Sequence, residues 1–123
     1  NNCELALVVS LLVTFLAGPS FAESLEEQTH ARKFAAKTRK KICDAIIALG
    51  DDAVSGIRLA STAITKTIEK RIEDGDMHGA ERCAKGGVLL IDRAMERGGT
   101  DVNASTWENE FAELRRKWAQ TVQ

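Results

Sequence analysis

Apolar residues beyond residue 22 recur at steps of three and four, the spacing of one face of an α-helix, and no stretch alternates like a β-strand. They form four segments separated by glycines and short polar stretches. Capping boxes at residues 24–27 and 105–108 predict the starts of the first and fourth helices. Asp51 or Asp52 is the predicted N-cap of the second helix, and the third begins after Asp76. Gly50 is predicted to end the first helix in the left-handed conformation that glycine adopts without steric cost. The pattern predicts an all-α, four-helix up-down bundle over residues 23–123.

Each predicted helix carries one apolar stripe, which we expect to form the core. The stripes are Ala31, Phe34, Thr38, Ile42, Ala45, Ile46 and Leu49; Val54, Ile57, Ile64, Ile68 and Ile72; Met77, Ala80, Ala84, Val88, Ile91 and Met95; and Trp107, Phe111, Leu114, Trp118 and Val122. Gly86 and Gly87 lie inside the third helix, where each costs roughly 1 kcal/mol relative to alanine. Such a pair predicts either the close approach of a neighbouring helix or a kink.

An uncharged apolar run occupies residues 5–17. Crossing a bilayer takes about 20 apolar residues, so this run fits the apolar core of a signal peptide better than a membrane span. Gly18 and Pro19 end the run, and Ser20 and Ala22 supply the small residues that signal peptidase reads. We predict a signal peptide over residues 1–22, cleaved after Ala22. The alternative is an N-terminal membrane anchor. No basic region precedes the run, which is a departure from the usual signal peptide.

The charge balance is even. The chain has 17 basic and 18 acidic side chains, and Glu4 is the only charged residue in the predicted signal peptide, so the mature chain has 17 of each. A neutral domain has no global field to attract nucleic acid or an anionic membrane, and we expect neither as a partner after cleavage. The predicted signal places the mature protein in the periplasm or outside the cell.

Cys43 and Cys83 are the two cysteines of the predicted mature chain. In an oxidising compartment such a pair favours a disulfide, and a loop of 83 − 43 = 40 residues gives it about 4 kcal/mol in the chain-entropy model. Bridged Cα atoms lie within about 7 Å of each other. A continuous helix over residues 52–74 would offset the two cysteines by roughly 12 Å, and a helix starting near Ile57 after a break at Gly56 by about 5 Å. We predict the bond together with the break at Gly56, and two buried thiols as the alternative.

Motifs for catalysis or cofactor binding are missing from the sequence, which lacks HExxH, CxxC, GxSxG, GxGxxG and Walker patterns. Asp74, Asp76 and His78 cluster at a predicted helix start, where carboxylates ordinarily serve the helix dipole rather than a metal ion. We therefore expect no cofactor, no metal and no enzymatic activity.

A basic segment lies on the first predicted helix. It consists of Arg32, Lys33, Lys37, Arg39, Lys40 and Lys41. An anionic polymer is one possible ligand, but the neutral net charge and the lack of interleaved aromatic residues favour an exposed face that forms ion pairs within the bundle. The expected partners are Glu108, Glu110 and Glu113 of the fourth helix.

A second candidate surface is apolar and lies beside the stripes. Its members are Ile47, Leu59, Leu89 and Leu90. If exposed, they would form a patch for a protein partner or for self-association, and the alternative is that they widen the buried face.

Part of the chain resembles helical-hairpin repeats of the tetratricopeptide type. The resemblance rests on Cys43-Asp44-Ala45-Ile46-Ile47 followed by Gly50, on Leu59-Ala60, and on Gly75-Asp76 followed by Ala80. It covers less than half of the chain, Ile64 and Ile68 stand where an aromatic residue and a glycine are expected, and no period of about 34 residues recurs. The resemblance implies helical-hairpin packing rather than membership of the family.

By elimination, the sequence predicts an exported small helical protein that binds another protein or a second copy of itself. Inhibitors, immunity proteins, chaperones and accessory subunits of this size work in that way, and the step is an analogy at the level of the fold. The alternatives are a tetratricopeptide-like scaffold and a small envelope enzyme whose site the sequence does not reveal.

Overall fold

The computed structural model describes the backbone of residues 2–18, 25–98 and 104–121, and the side chains within 4–18, 37–97 and 109–121. Its helices are α1 (Asn2–Ala17), α2 (Leu25–Leu49), α3 (Ala53–Glu73), α4 (Met77–Gly98) and α5 (Ala104–Thr121). The described residues contain no strand, so the all-α prediction is confirmed for them.

Five helices pack together in the part of the chain that the structure describes, which corrects the predicted count of four. α2 to α5 are the four predicted helices, and α1 is the apolar run that the sequence predicts as a signal segment. α1 lies against α2, α3 and α4, where it buries Val9, Val13, Leu16 and Ala17. Covering apolar surface is favourable by about 25 cal/mol per Å², which explains why α1 folds onto the other helices. The predicted cleavage site falls in residues 19–24, outside the described residues.

The predicted cap at the start of α3 is confirmed. The Asp52 carboxylate accepts a hydrogen bond from the Ser55 N–H at 2.8 Å, and Ser55 Oγ accepts one from the Asp52 N–H at 3.2 Å. Asp76 likewise accepts a hydrogen bond from the first turn of α4. α5 differs from the prediction, because it begins at Ala104 and so places Ser105 inside its first turn rather than at the cap.

α4 is the central helix, in contact with each of the other four. A Cβ atom on Gly86 would lie 2.9 Å from Cγ of Leu16 on α1, and a Cβ on Gly87 would lie 2.5 Å from the ring of Trp118 on α5. Both distances are well below the 3.5–4.0 Å of an ordinary carbon contact. The close approach predicted from the glycine pair is therefore confirmed, and each glycine admits a different helix.

The corner between α2 and α3 depends on two further glycines, but not as predicted. Gly50 is not left-handed, since Gly18 and Gly75 are the only described residues with positive φ. Instead, a Cβ on Gly50 would clash with the main-chain nitrogen of Gly56, and a Cβ on Gly56 would lie 2.7 Å from Cα of Ile47. The two backbones meet directly, which requires residues without a side chain.

The predicted stripes supply nine of the 19 buried apolar residues that the structure describes. Their buried members are Ile46, Ile57, Ile64, Ile68, Ala80, Ala84, Ile91, Phe111 and Trp118. Thr38 and Ala45 are exposed on α2, and Ile72 and Met77 are exposed beside the turn between α3 and α4. The side chains of Ala31, Phe34, Trp107 and Val122 lie outside the described residues.

Ion pairs between helices fix the relative directions of α2 to α5. Asp44, late in α2, pairs with Arg93 at 2.9 Å and Arg97 at 3.2 Å, late in α4. Arg58, early in α3, pairs with Glu110, early in α5, at 2.7 Å. Alternate helices therefore run in the same direction, as they do when successive helices fold back on each other.

The Asp44 carboxylate makes stability depend on pH. The hydrogen bond from Arg93 lowers the Asp44 pKa below its usual value, so the stabilisation is present above the unfolded pKa of about 3.9 and is lost as the pH falls through the folded value. We expect Asp44→Asn to lower the melting temperature at pH 7 by a few degrees and the difference to vanish near pH 2. Calorimetry between pH 2 and 7 measures it, with the exposed Glu69→Gln as control. A difference that persists at pH 2 would contradict this role.

Candidate functional site

α1 carries apolar side chains on its outer side as well as its inner side, and its exposed polar residues are Glu4, Ser10 and Thr14 among those described. Val9, Val13 and Leu16 face the bundle and are at most 3% exposed, whereas Leu7 and Phe15 on the opposite side are 72% and 61% exposed. A helix that belongs to the surface of a soluble bundle normally carries polar residues on its outer side. α1 thus has an inner face that fits the bundle and an outer face that the bundle leaves uncovered.

We call the surface of α2, α3 and α4 beneath α1 the α1 seat; Gly86 and Arg71 are its two defining contacts. At Gly86 the backbones come close, since an added Cβ would lie 3.2 Å from the carbonyl oxygen of Leu16 as well as 2.9 Å from its side chain. The inward residues Val9, Val13 and Leu16 follow each other at steps of four and three, so one helical face fills the seat.

Arg71, on the last turn of α3, holds the C-terminal end of α1. Its Nη2 donates to the carbonyl oxygen of Gly18 at 2.8 Å, and its Nη1 donates to the carbonyl oxygen of Ala17 at 3.4 Å. Nη1 also donates to the carbonyl oxygen of Gly79 on α4 at 2.9 Å. The last carbonyls of a helix lack partners within the helix and carry partial negative charge, so a guanidinium is well suited to them.

Two further arginines lie near this end of α1. Arg39 of α2 is half-buried, and its Nη2 would lie 3.8 Å from a Cβ added to Gly18. Burial lowers the Arg39 pKa, and the positive charge of Arg82 on α4 lowers it further. The effect on Arg39 indicates that the two guanidinium groups lie close enough to repel each other. We refer to Arg39, Arg71 and Arg82 as the arginine cluster.

An open groove of about 540 Å³ runs between α1 and α3. The α1 wall includes Val9, Val13 and Thr14, and the α3 wall includes Leu59 and Lys66. It is largely apolar with a few hydroxyl groups, and it shows that α1 does not completely fill the space above α3.

The structure separates the four residues of the predicted apolar patch. Ile47 and Leu90 are in the core at 6% and 0% exposure, and Leu89 is half-buried against it. Leu59 is exposed and lines the groove between α1 and α3. The four do not form one surface patch, and only Leu59 lies at the site described here.

The basic segment of α2 is described in part. Lys37, Lys40 and Lys41 are exposed, while the side chains of Arg32 and Lys33 lie outside the described residues. The expected pairing with α5 is not found where it is described, because Glu110 pairs with Arg58 and Glu113 with Arg116. The side chain of Glu108 lies outside the described residues.

The predicted disulfide is not formed in the structure. Cys43 and Cys83 are free thiols, 0% and 1% exposed. The prediction tied the bond to a break at Gly56, and α3 instead runs through Gly56 without interruption. A continuous α3 leaves the cysteines too far apart along the bundle axis for a bond, which is the physical reason for the correction.

We expect the two thiols to be almost unreactive in the folded protein. Burial raises the pKa of Cys43 to about 12 and that of Cys83 to about 11, so the nucleophilic thiolate is scarce at pH 8. In a Cys3→Ser background, Ellman's reagent should modify the native pair on the order of a hundredfold more slowly than the urea-unfolded pair. Fast labelling of the native protein, or an unreduced mass showing the loss of two hydrogens, would contradict the free buried thiols.

Other candidate ligands stay apart. Among the described side chains no group of three or more His, Cys, Asp or Glu residues is placed to hold a metal ion. His78 is exposed on α4, and the side chain of His30 lies outside the described residues. None of the described helices is long and apolar enough to cross a bilayer.

Comparison with models of protein families, with curated protein sequences and with solved structures finds no match for the chain. The site must therefore be interpreted from its own geometry. Sequence reasoning missed the α1 seat, although Gly86 signalled a close helix. It also missed Arg71, because a basic residue in the last turn of a helix is common and does not reveal its partners in the tertiary structure.

Proposed function

We propose that the chain is exported, with residues 1–22 as its signal peptide, and that the mature chain of residues 23–123 is a protein-binding module. It acts in the periplasm or outside the cell, as an inhibitor, immunity-type partner, chaperone or accessory subunit does. The observation that supports this most directly is the α1 seat. It receives a helix whose own composition suits export.

The composition of α1 supports the signal-peptide part of the proposal. Leu7, Leu11 and Phe15 are 57–72% exposed, so the outer face carries large apolar side chains beside its few polar ones. Export machinery requires an apolar run of about this length and has no need of a polar face. A helix evolved only to complete the bundle would carry a polar outer face.

The surface that α1 leaves behind supports the protein-binding part. Once residues 1–22 are removed, Gly86 loses its contact with Leu16, and the Arg71 guanidinium loses the carbonyl oxygens of Ala17 and Gly18. An apolar surface of this kind on a small protein serves as an interaction site, and an amphipathic helix in a groove is a recurrent way to fill it.

Free cysteines are compatible with export. An oxidant attacks the thiolate, and burial of Cys43 and Cys83 raises both pKa values. Two thiols that are inaccessible and protonated stay reduced even in an oxidising compartment.

Export and processing test the proposal directly. The chain, given an initiator methionine, is expressed in a bacterial host, and the periplasmic protein is sequenced from its N-terminus. We expect Glu23 as the first residue. Leu11→Arg, which places a charge in the apolar run, should keep the protein unprocessed in the cytoplasm, whereas Leu59→Arg on α3 should not affect processing. A chain that keeps residues 1–22 and stays with the membrane fraction would replace the signal peptide with an anchor.

A further inference from the structure

The arginine cluster marks one end of the α1 seat as the receptor for the C-terminal turn of a helix. Among the described residues, Arg71 makes three hydrogen bonds, all to carbonyl oxygens, two of them at the end of α1. The third, to Gly79, belongs to the body of the protein. This bond holds the guanidinium in place whether or not α1 is present.

At this end the described residues of α1 offer backbone carbonyl oxygens and no carboxylate, and Asp76 in the same corner accepts the Gly79 N–H. The end of α1 offers the carbonyl oxygens of Ala17 and Gly18, which carry only partial charge. Arg39 adjoins Gly18, and Arg82 is close enough to Arg39 to lower its pKa. The neighbouring thiols of Cys43 and Cys83 are protonated at neutral pH and supply no negative charge.

We propose that in the mature protein the α1 seat binds the C-terminal helix of a partner protein, and that the free carboxylate of this helix pairs with Arg71 and Arg39. The inference rests on the proposed function, because the seat is vacant only when residues 1–22 have been removed. A carboxylate supplies the full negative charge that the end of α1 lacks, and its two oxygens can accept parallel hydrogen bonds from one guanidinium.

The geometry of α1 specifies the helix that fits. Its buried side chains Val9, Val13 and Leu16 stand nine, five and two positions before Gly18, the residue at Arg71. We therefore expect aliphatic residues at these distances from the C-terminus of the partner. The residue in the place of Leu16 packs on Gly86, where the backbones of the two helices come together.

A peptide derived from α1 tests the inference on the full, folded chain. A recognition site for a specific protease is placed between residues 19 and 24, and the chain is cut there after folding. The probe is a fluorescent peptide of residues 4–18, made once with a free carboxylate and once as the C-terminal amide. The exposed positions carry Leu7→Lys, Leu11→Gln and Phe15→Lys to keep it soluble. Fluorescence anisotropy follows the replacement of the cut α1 in its seat by the fluorescent peptide.

We expect the acid peptide to bind the cut chain about tenfold more tightly than the amide, which corresponds to about 1.4 kcal/mol, and neither to bind the uncut chain. Arg71→Gln should bring the ratio of acid to amide affinity close to one. Lys66→Gln, at an exposed lysine beside the groove, should leave the ratio unchanged. Gly86→Val should abolish binding of both peptides, and circular dichroism confirms that each variant is folded.

The outcomes separate the two proposals. Tight but equal binding of acid and amide would overturn the carboxylate inference and leave the seat as a helix-binding site. Failure of both peptides to exchange into the cut chain would overturn the helix-binding site, and with it the protein-binding part of the proposed function. Unchanged binding by Gly86→Val would show that the peptide lies elsewhere, and the inference would fall.

Discussion

Trp118→Ala should cost about 3–5 kcal/mol of unfolding free energy, the range for removing a large aromatic side chain from a core. Trp118 is 1% exposed, its ring lies over Gly87, and its Nε1 donates to Thr65 Oγ1 on α3 at 3.2 Å. The side chain therefore joins α5 to both α4 and α3. Alanine reaches neither contact.

Urea denaturation followed by circular dichroism measures this loss. We expect the melting temperature to fall by at least about 10 °C, since 1 kcal/mol corresponds to several degrees for a domain of this size. Trp118→Phe keeps most of the buried surface and loses the hydrogen bond to Thr65, so its cost should be clearly smaller. The adjacent, exposed Lys117→Ala should change stability by no more than about 0.5 kcal/mol. If Trp118→Ala matched Lys117→Ala, α5 would not depend on this contact.

The parts of the fold that follow from local chemistry could be predicted from the sequence. Apolar residues at helical spacing predict α2 to α5, and Asp52 caps α3 because its own side chain reaches the N–H of Ser55. Gly86 and Gly87 predict close helices because glycine inside a helix carries a cost that such packing offsets. In each case the sequence signal lies within a few residues or on one helical face, although the helices that Gly86 and Gly87 admit are distant along the chain.

The parts that depend on tertiary contacts could not be predicted. A largely apolar α1 has no broad polar face to define its orientation, so its pattern does not reveal which helices it packs on. Gly50 packs against the backbone of Gly56, and Gly56 packs against the backbone of Ile47, across the corner between α2 and α3. Arg71 finds its acceptors 53 and 54 positions away along the chain, at Gly18 and Ala17. The candidate site consists of contacts of this second kind.

Alanine at Gly87 and at Gly86 should have different consequences, because the two neighbouring positions admit different helices. Gly87→Ala places a Cβ 2.5 Å from the Trp118 ring, which is buried and cannot move freely, so we expect a loss of about 1–3 kcal/mol with or without α1. The three atoms nearest to the Cβ of Gly86→Ala all belong to Leu16 of α1. Its effect should therefore depend on whether residues 1–22 are present.

In the full chain, Gly86→Ala should be destabilising, because the added Cβ lies 3.2 Å from a main-chain oxygen of α1 as well as 2.9 Å from a side chain. In the chain that starts at Glu23 the contact is gone, and alanine should stabilise α4 by up to about 1 kcal/mol through its better helix propensity. Urea denaturation of both variants in both chain lengths gives the four values. If α1 can be removed from its seat, the change in unfolding free energy caused by Gly86→Ala should differ in sign between the two chain lengths. The change caused by Gly87→Ala should keep the same sign. The same sign at Gly86 in both chains would mean that the cost or gain lies within α4 itself, and the seat would no longer be defined by Gly86.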